Sequence, residues 1–348
     1  MKKRIVIAGA GILDVLVSPV DEGIFKQGSV PVDTIKISTG GDALNEAAVL
    51  SRLLGEPGGV ELVTLLGKDR AGSIIMDFCI REGISTELIH QEDTVETGVN
   101  VVMIQKDGSR SFFTNPKSSL RKLKIKHFEN VFWDKKEYNC RRSGNVYISE
   151  KEIGCGASEQ NMREAEKGIF CLASIFVSPE LGAKELEEIF QRAKQAGMYV
   201  CADMTKRKNG ETAEDLREAL TYLDYLFANE EEAGLLTGKE KVEDMAECLW
   251  EYGVGNVVIK CGSRGCYVKN HESAMQFPAL EGVKCLDTTG AGDSFAAGFL
   301  YALSQGKTLQ ECVRWANTCG AMAVEKVGAT EGIRNRTEVL KRMEKWRN

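Results

Sequence analysis

Along the chain, short runs of β-branched and aliphatic residues alternate with longer stretches whose apolar positions recur every three or four residues. The first run, Arg4–Gly9, carries Ile-Val-Ile and predicts a buried strand. Glu61–Gly67, Asn100–Ile104, Phe170–Ser178, Met198–Asp203, Tyr225–Asn229 and Asn256–Cys261 continue the series. Helical patterns lie between several of them. In Ala183–Gly197, Leu186, Ile189, Phe190 and Ala193 share one face, and Gly197 is a natural C-terminal stop. This alternation predicts an α/β fold with a mostly parallel sheet covered on both faces. Ligands in such folds sit at the carboxyl ends of the strands.

Two stretches break the rhythm. Leu16–Ser38 and Thr97–Thr114 read as short strands and turns, with Asp107-Gly108 as a hairpin signal. They predict a small β-layer projecting from the main sheet at about 15–38 and 97–115. Such a layer is either a lid that keeps water from a reaction or a decorative hairpin. Phe132–Gly168 is charged and lacks periodicity, so it reads as an irregular insertion, a surface excursion or a disordered segment. There are no internal repeats, and one domain over 1–348 is expected.

Composition narrows the function. The formal charge of −6 argues against a general nucleic-acid binder, though not against a local basic pocket for a phosphorylated ligand. The apolar run Ile5–Ala10 is too short for a signal peptide, and no run approaches the roughly 20 residues that span a bilayer. Eleven cysteines without a Cys-x-x-Cys pair read as free thiols in a reducing compartment, so the chain is expected in the cytoplasm. The three histidines, His90, His127 and His271, are not at ligand spacing, and no structural metal is expected.

The most informative stretch is Asp287–Phe299, DTTGAGDSFAAGF. Gly290 and Gly292 let the backbone turn tightly and let a ligand approach. A small-residue helix follows, so the loop ends at a helix N-terminus, where free N–H groups favour an anion. Asp293 among those N–H groups is either a helix cap or a general base for a hydroxyl brought beside it. A base next to an anion hole suits phosphoryl transfer to an alcohol.

The full string resembles the C-terminal signature of the ribokinase-like (PfkB) carbohydrate kinases. The resemblance implies a three-layer sandwich with a mostly parallel central sheet and a small β-sheet lid. It implies ATP-dependent phosphorylation of a sugar or sugar acid, with Asp293 as catalytic base and the Gly290, Ala291 and Gly292 loop as anion hole. Ser38–Gly55 (STGGDALNEAAVLSRLLG) is similar to the family's N-terminal signature. The resemblance therefore places Gly40, Gly41 and Asn45 on the sugar, with Asp14 after the first strand and Asn100 in the lid. Leu66–Gly72 (LGKDRAG) is a further family-like string. Asn229 and Glu232 match the family's Asn-x-x-Glu motif, which implies magnesium held through water by Glu232, with Asn229 on the nucleotide side. Glu230 and Glu231 are expected to be solvated helix-face acids.

In Val257–Val268 the resemblance implies a nucleotide-lining strand and turn with Gly262 and Gly265, but Lys260 stands where the family has a small hydroxyl residue. Lys260 is expected either to meet a nucleotide phosphate or to be solvated. Asn317 and Gly328 fit the adenine-side wall. Carbonyls near Asp287, Thr289 and Val324–Gly328 fit the monovalent-cation (K+) site of some members. Ala202–Thr212 resembles an Asp-x-Asn-x-Arg strand end, with Thr205 replacing the Asn. Asp203, Lys206 and Arg207 there are candidates for phosphate-side electrostatics. Phe132–Gly168 departs from the family as a lineage-specific insertion or a reading-frame irregularity.

Gly9–Asp14 (GAGILD) lacks the third glycine of a dinucleotide fingerprint, and no Walker motif occurs. Three readings compete with a sugar kinase: a nucleoside kinase on the same fold, a catalytically silent sugar- or nucleotide-binding regulator, and a dehydrogenase. The lid strands also suggest a homodimer in which two lids clasp. No membrane or nucleic-acid partner is expected.

Overall fold

The computed structural model describes residues 3–26, 28–106, 109–132 and 167–347. In chain order its strands are β1 (Ile5–Ala8), β2 (Ile12–Val20), β3 (Thr34–Gly40), β4 (Glu61–Gly67), β5 (Ile89–Glu92), β6 (Val99–Gln105), β7 (Arg110–Thr114), β8 (Ile169–Ile175), β9 (Tyr199–Met204), β10 (Tyr225–Asn229), β11 (Asn256–Lys260), β12 (Cys266–Lys269) and β13 (Ala274–Phe277). The helices used below are α1 (Asp42–Leu54), α2 (Ala183–Gln195), α3 (Glu230–Thr237), α4 (Val242–Glu251), α5 (Ala291–Ser304) and α6 (Leu309–Val324).

Nine strands form the large sheet in the order β13-β12-β11-β10-β9-β8-β1-β4-β5. From β11 to β5 every pairing is parallel, and β12 and β13 add an antiparallel edge. The strand β1 shows why the sheet is covered on both sides. Ile5 and Ile7 point into a core with Ala43 and Leu44 of α1 and Phe295 of α5. Val6 and Ala8 point into a second core with Ile189 and Phe190 of α2 and Leu249 of α4. Period-two alternation thus splits one apolar run between two layers. Each fully buried aliphatic side chain stabilises the fold by roughly 1.5–3 kcal/mol.

The smaller sheet has the order β3-β2-β6-β7. The chain enters it within a few residues of β1, because Gly9, with φ +141°, ends the first strand and β2 starts at Ile12. Asp14, expected after the first strand, sits inside β2, and Asn100–Ile104, read both in the strand series and within the 97–115 lid stretch, belongs to the small sheet. The β6–β7 pair is antiparallel, while its expected turn residues Asp107 and Gly108 lie outside the described residues. Apart from Phe132, Lys167 and Gly168, so does the irregular stretch Phe132–Gly168. Among the described residues no helix is long and apolar enough to cross a membrane.

Small residues let the site-bearing helix pack closely. A Cβ added at Gly298 of α5 would lie 2.8 Å from Cys319 Sγ and 2.9 Å from the Trp315 carbonyl of α6. That closeness fixes the α5 N-terminus over the ends of the central strands.

Candidate active site

Strand register brings three side chains to one edge. Asp203 near the end of β9 lies level with Phe227, and Asn229 at the end of β10 pairs with Lys260 at the end of β11. All three stand at the carboxyl end of the sheet, where open α/β sheets bind ligands. The N-termini of α1 and α5 close the site from one face.

The α5 N-terminus is shaped by Gly290, whose φ is +70° and whose added Cβ would stand 2.0 Å from the Ala329 carbonyl. No side chain fits there. Ala291 N–H is taken up by the Thr288 carbonyl at 3.2 Å. The open donors of the first turn are therefore those of Gly292 and Asp293. Asp287 holds the loop from behind: its carboxylate accepts from Thr289 N at 2.9 Å, Thr289 Oγ1 at 2.7 Å and Gly328 N at 2.9 Å. The guanidinium of Arg110, reaching from β7, donates to both Asp287 and Thr289. Burial pushes the Asp287 carboxyl up, but these hydrogen bonds outweigh it and hold it at about 2.

Asp293 is half-buried and accepts a 2.7 Å hydrogen bond from Asn45 Nδ2. Its pKa is raised to about 6, chiefly by burial and further by Asp203, against the lowering pull of Asn45 and Lys260. Asn45 is buried, and its Oδ1 has no partner. One side chain therefore joins the Gly-Gly helix to the acid of the second loop.

At the small-sheet end, Asp14 and Asn100 are register partners, and Asn100 Nδ2 donates to Asp14 Oδ1 at 3.2 Å. An added Cβ at Gly40 would come within 2.1 Å of Asp14 Oδ2. Gly41, with φ +95°, brings the backbone against Ala10, whose carbonyl would stand 2.5 Å from an added Cβ. The two glycines thus let the acid lie over the start of α1. Burial raises the Asp14 pKa, against the Asn100 amide and the charge of Arg110. Asn100 Oδ1 is a second buried acceptor without a partner.

On the other side, Asn229 and Glu232 cap α3 reciprocally: Asn229 N–H reaches Glu232 Oε2 at 2.8 Å, and Glu232 N–H reaches Asn229 Oδ1 at 2.9 Å. Glu232 is raised to about 7, by burial first and by Asp203, against Lys260. Its Oε1 is not used by the cap. Oxygen donors of this kind fit a magnesium ion that keeps most of its water. Among the described residues, no three carboxylate, imidazole or thiolate groups converge on a site for a directly bound metal.

Lys260 is not solvated: Nζ donates to both oxygens of buried Asp203, at 2.7 and 2.8 Å. Burial opposes its charge, but Asp203 and Glu232 more than compensate, so its pKa lies above the usual lysine value. Of the neighbouring candidates only Asp203 joins this cluster. Lys206 pairs with exposed Glu231, and Arg207 is spent on the carbonyls of Gly210 and Glu211. Glu230 is paired with Arg264 and not simply solvated. Gly262 and Gly265 both have positive φ in the β11–β12 turn, and an added Cβ at Gly265 would meet the Phe277 carbonyl at 2.0 Å. Asn317 is buried on α6 and donates to the Pro278 carbonyl at 3.2 Å. The Val324 carbonyl accepts from Leu286 N and Asp287 N.

Sequence reasoning missed three charged residues. Asp42 and Glu46 stand in the first two turns of α1, and Arg110 stands at the head of β7. Asp42 is raised to about 8 by burial and then by Asp293 and Asp203, while Glu46, fully buried with Oε1 unpartnered, is pushed well up by burial and then by Asp203. The signal was available: acids among the small, apolar residues of Gly41–Leu54 are costly unless a site uses them.

Comparisons with known proteins agree with this fold. The ribokinase of Arabidopsis thaliana is 25% identical over 347 residues, covering 97% of this chain and 80% of that protein. The cytidine kinase of Thermococcus kodakarensis is 33% identical over 177 residues, covering 50% of this chain and 58% of that protein. A solved fructokinase from Xylella fastidiosa with bound ATP superposes with a TM-score of 0.76 at 22% identity, covering all of both chains. The description "pfkB family carbohydrate kinase" matches residues 3–336, and the chain belongs to that family.

Proposed function

We propose that the protein transfers the γ-phosphoryl group of ATP to a hydroxyl of a small sugar or sugar acid. The observation that carries this reading is the Asn45–Asp293 contact, which ties the Gly-Gly helix beside Asp14 to an acid in the anion-binding turn. The acceptor lies between Asp14, Asn100, Gly40, Gly41 and Asn45, where the unpaired Oδ1 atoms of Asn45 and Asn100 suit hydroxyl donors. Asp293, with its pKa raised to about 6, takes the hydroxyl proton near neutral pH. The acceptor oxygen forms its bond to phosphorus as the bond to the ADP oxygen breaks. The N–H groups of Gly292 and Asp293, shaped by Gly290 and Ala291, hold the charge on the transferring oxygens. The β11–β12 turn with Gly262 and Gly265 and the Asn317 wall take the nucleotide. Asn229 and Glu232 would hold magnesium through water; when bound, it neutralises charge on the nucleotide phosphates.

The small sheet acts as a lid that keeps water from the reacting atoms. Its β3 edge leaves Ile35 and Ile37 on one face, 70% and 59% exposed, and its β7 edge leaves Phe112 and Phe113 open. These apolar side chains support a homodimer in which two lids cover one another.

A nucleoside acceptor is the second reading, supported by the cytidine kinase relative. ADP release from ATP and magnesium, measured with fructose, ribose, 2-keto-3-deoxygluconate, sugar phosphates and nucleosides, separates the two. Turnover with a sugar or sugar acid is the expected result. Turnover with nucleosides alone would replace the acceptor class, and a folded protein that turns over none of them would overturn the proposal.

A further inference from the structure

Lys260 stands where two positive features meet. Its ammonium lies beside the first turn of α5, so close that a Cβ added at Gly292 would be 3.3 Å from Nζ. That turn presents open N–H groups and the positive end of the helix dipole. A cation facing a helix N-terminus is unfavourable unless an anion lies between them. Asp203 neutralises the ammonium with both of its oxygens, but no hydrogen bond links it to the α5 turn. Asp42, Glu46, Asp203, Glu232 and Asp293 all act electrostatically on, or through, this one lysine. The Lys260 side chain keeps 14% of its surface exposed, against 5% for Asp203, so of the pair the lysine is the more open.

We propose that Lys260 is a catalytic residue: its ammonium turns from Asp203 onto an oxygen of the transferring phosphoryl group, which then lies between Nζ and the Gly292–Asp293 turn. Asp203 is the holder that keeps the ammonium buried, charged and aimed when no nucleotide is bound. The lysine stays protonated throughout; the only proton that moves goes from the acceptor hydroxyl to Asp293. This rests on the kinase reading above and adds a contact specific to the γ-phosphoryl.

The test compares wild type with Lys260→Met, Lys260→Arg and the double variant Lys260→Met/Asp203→Asn, which leaves no unpaired buried carboxylate at this position. Affinities for ATP and ADP are measured by calorimetry without acceptor, and turnover with the best acceptor. Lys260→Met and the double variant should lose about 10-fold in ATP affinity with ADP affinity nearly unchanged, the effect of one charge-assisted hydrogen bond. Turnover should fall by at least ~10²-fold. Lys260→Arg should recover part of both. Equal weakening of ATP and ADP, or wild-type turnover in the folded double variant, would overturn the role. The binding arm needs no acceptor, so a wild type that phosphorylates nothing would sink the kinase reading while ATP selectivity still decides Lys260.

Discussion

Asn45 has two tasks at the scale of single residues. It lines the proposed acceptor pocket, and its amide donates a hydrogen bond to Asp293 at 2.7 Å. That bond lowers the Asp293 pKa, while burial, the larger influence, raises it to about 6. The base works only when deprotonated. The kcat/KM profile should therefore rise with pH through an apparent pKa near 6. In Asn45→Ala the lowering bond is gone, so the rising limb should move to higher pH, with a higher KM for the acceptor. A pH–rate series on both proteins measures this, and an unmoved limb would separate Asn45 from the base. The tight turn at Gly290 ahead of Asp293 was legible because a short string forces local geometry. The partner of Lys260 was not, because Asp203 is 57 residues away and the two meet only through strand register.

Among the elements, the main strands were legible to within a residue, except that Phe170–Ser178 ends three residues early, at Ile175. Glu61–Gly67 and Tyr225–Asn229 match their strands, since apolar runs buried on both faces have nowhere else to go. The α2 helix ends at Gln195, and Gly197 follows with φ +72°, as its stop position implied. The edge strands β5 and β13 were missed, because IHQE and AMQF carry no clear alternation and remain partly exposed. The small sheet was legible as strands, but not where it begins: β2 starts at Ile12, ahead of the expected 15–38 stretch, and takes in Asp14. Its exposed Ile35 and Ile37 lie two residues apart on one face of β3. Sedimentation should show a dimer for wild type and a monomer for Ile35→Glu/Ile37→Glu. A wild type that stays monomeric at every concentration would contradict the clasped lids.

The whole molecule carries its buried acids at a cost. The folded-state pKa of Asp42 is about 8, that of Glu232 about 7 and that of Asp293 about 6. All three lie above the unfolded carboxylate range of roughly 4. Between about pH 4 and pH 8 these acids bind more protons in the folded state than in the unfolded state and make stability fall as pH rises, while His127, lowered to about 4 by burial, opposes them up to roughly pH 6.5. Asp287, held at about 2, works in the opposite sense, but only below roughly pH 4. Without ligands, Tm should decline from pH 6.5 to pH 8, and Asp42→Asn should flatten that decline. A Tm that climbs over this range would contradict the burial of ionisable acids around Lys260.

The central claim is that Asp293 removes a proton while the adjoining turn holds a phosphoryl group. The most direct measurement is ADP and phosphorylated product formed by wild type and Asp293→Asn, side by side, with the acceptor that wild type uses best. The account predicts one product per ADP in wild type. In the variant it predicts turnover lower by at least ~10²-fold with ATP affinity largely kept, as expected for loss of a general base. An Asp293→Asn protein that turns over at the wild-type rate would contradict it.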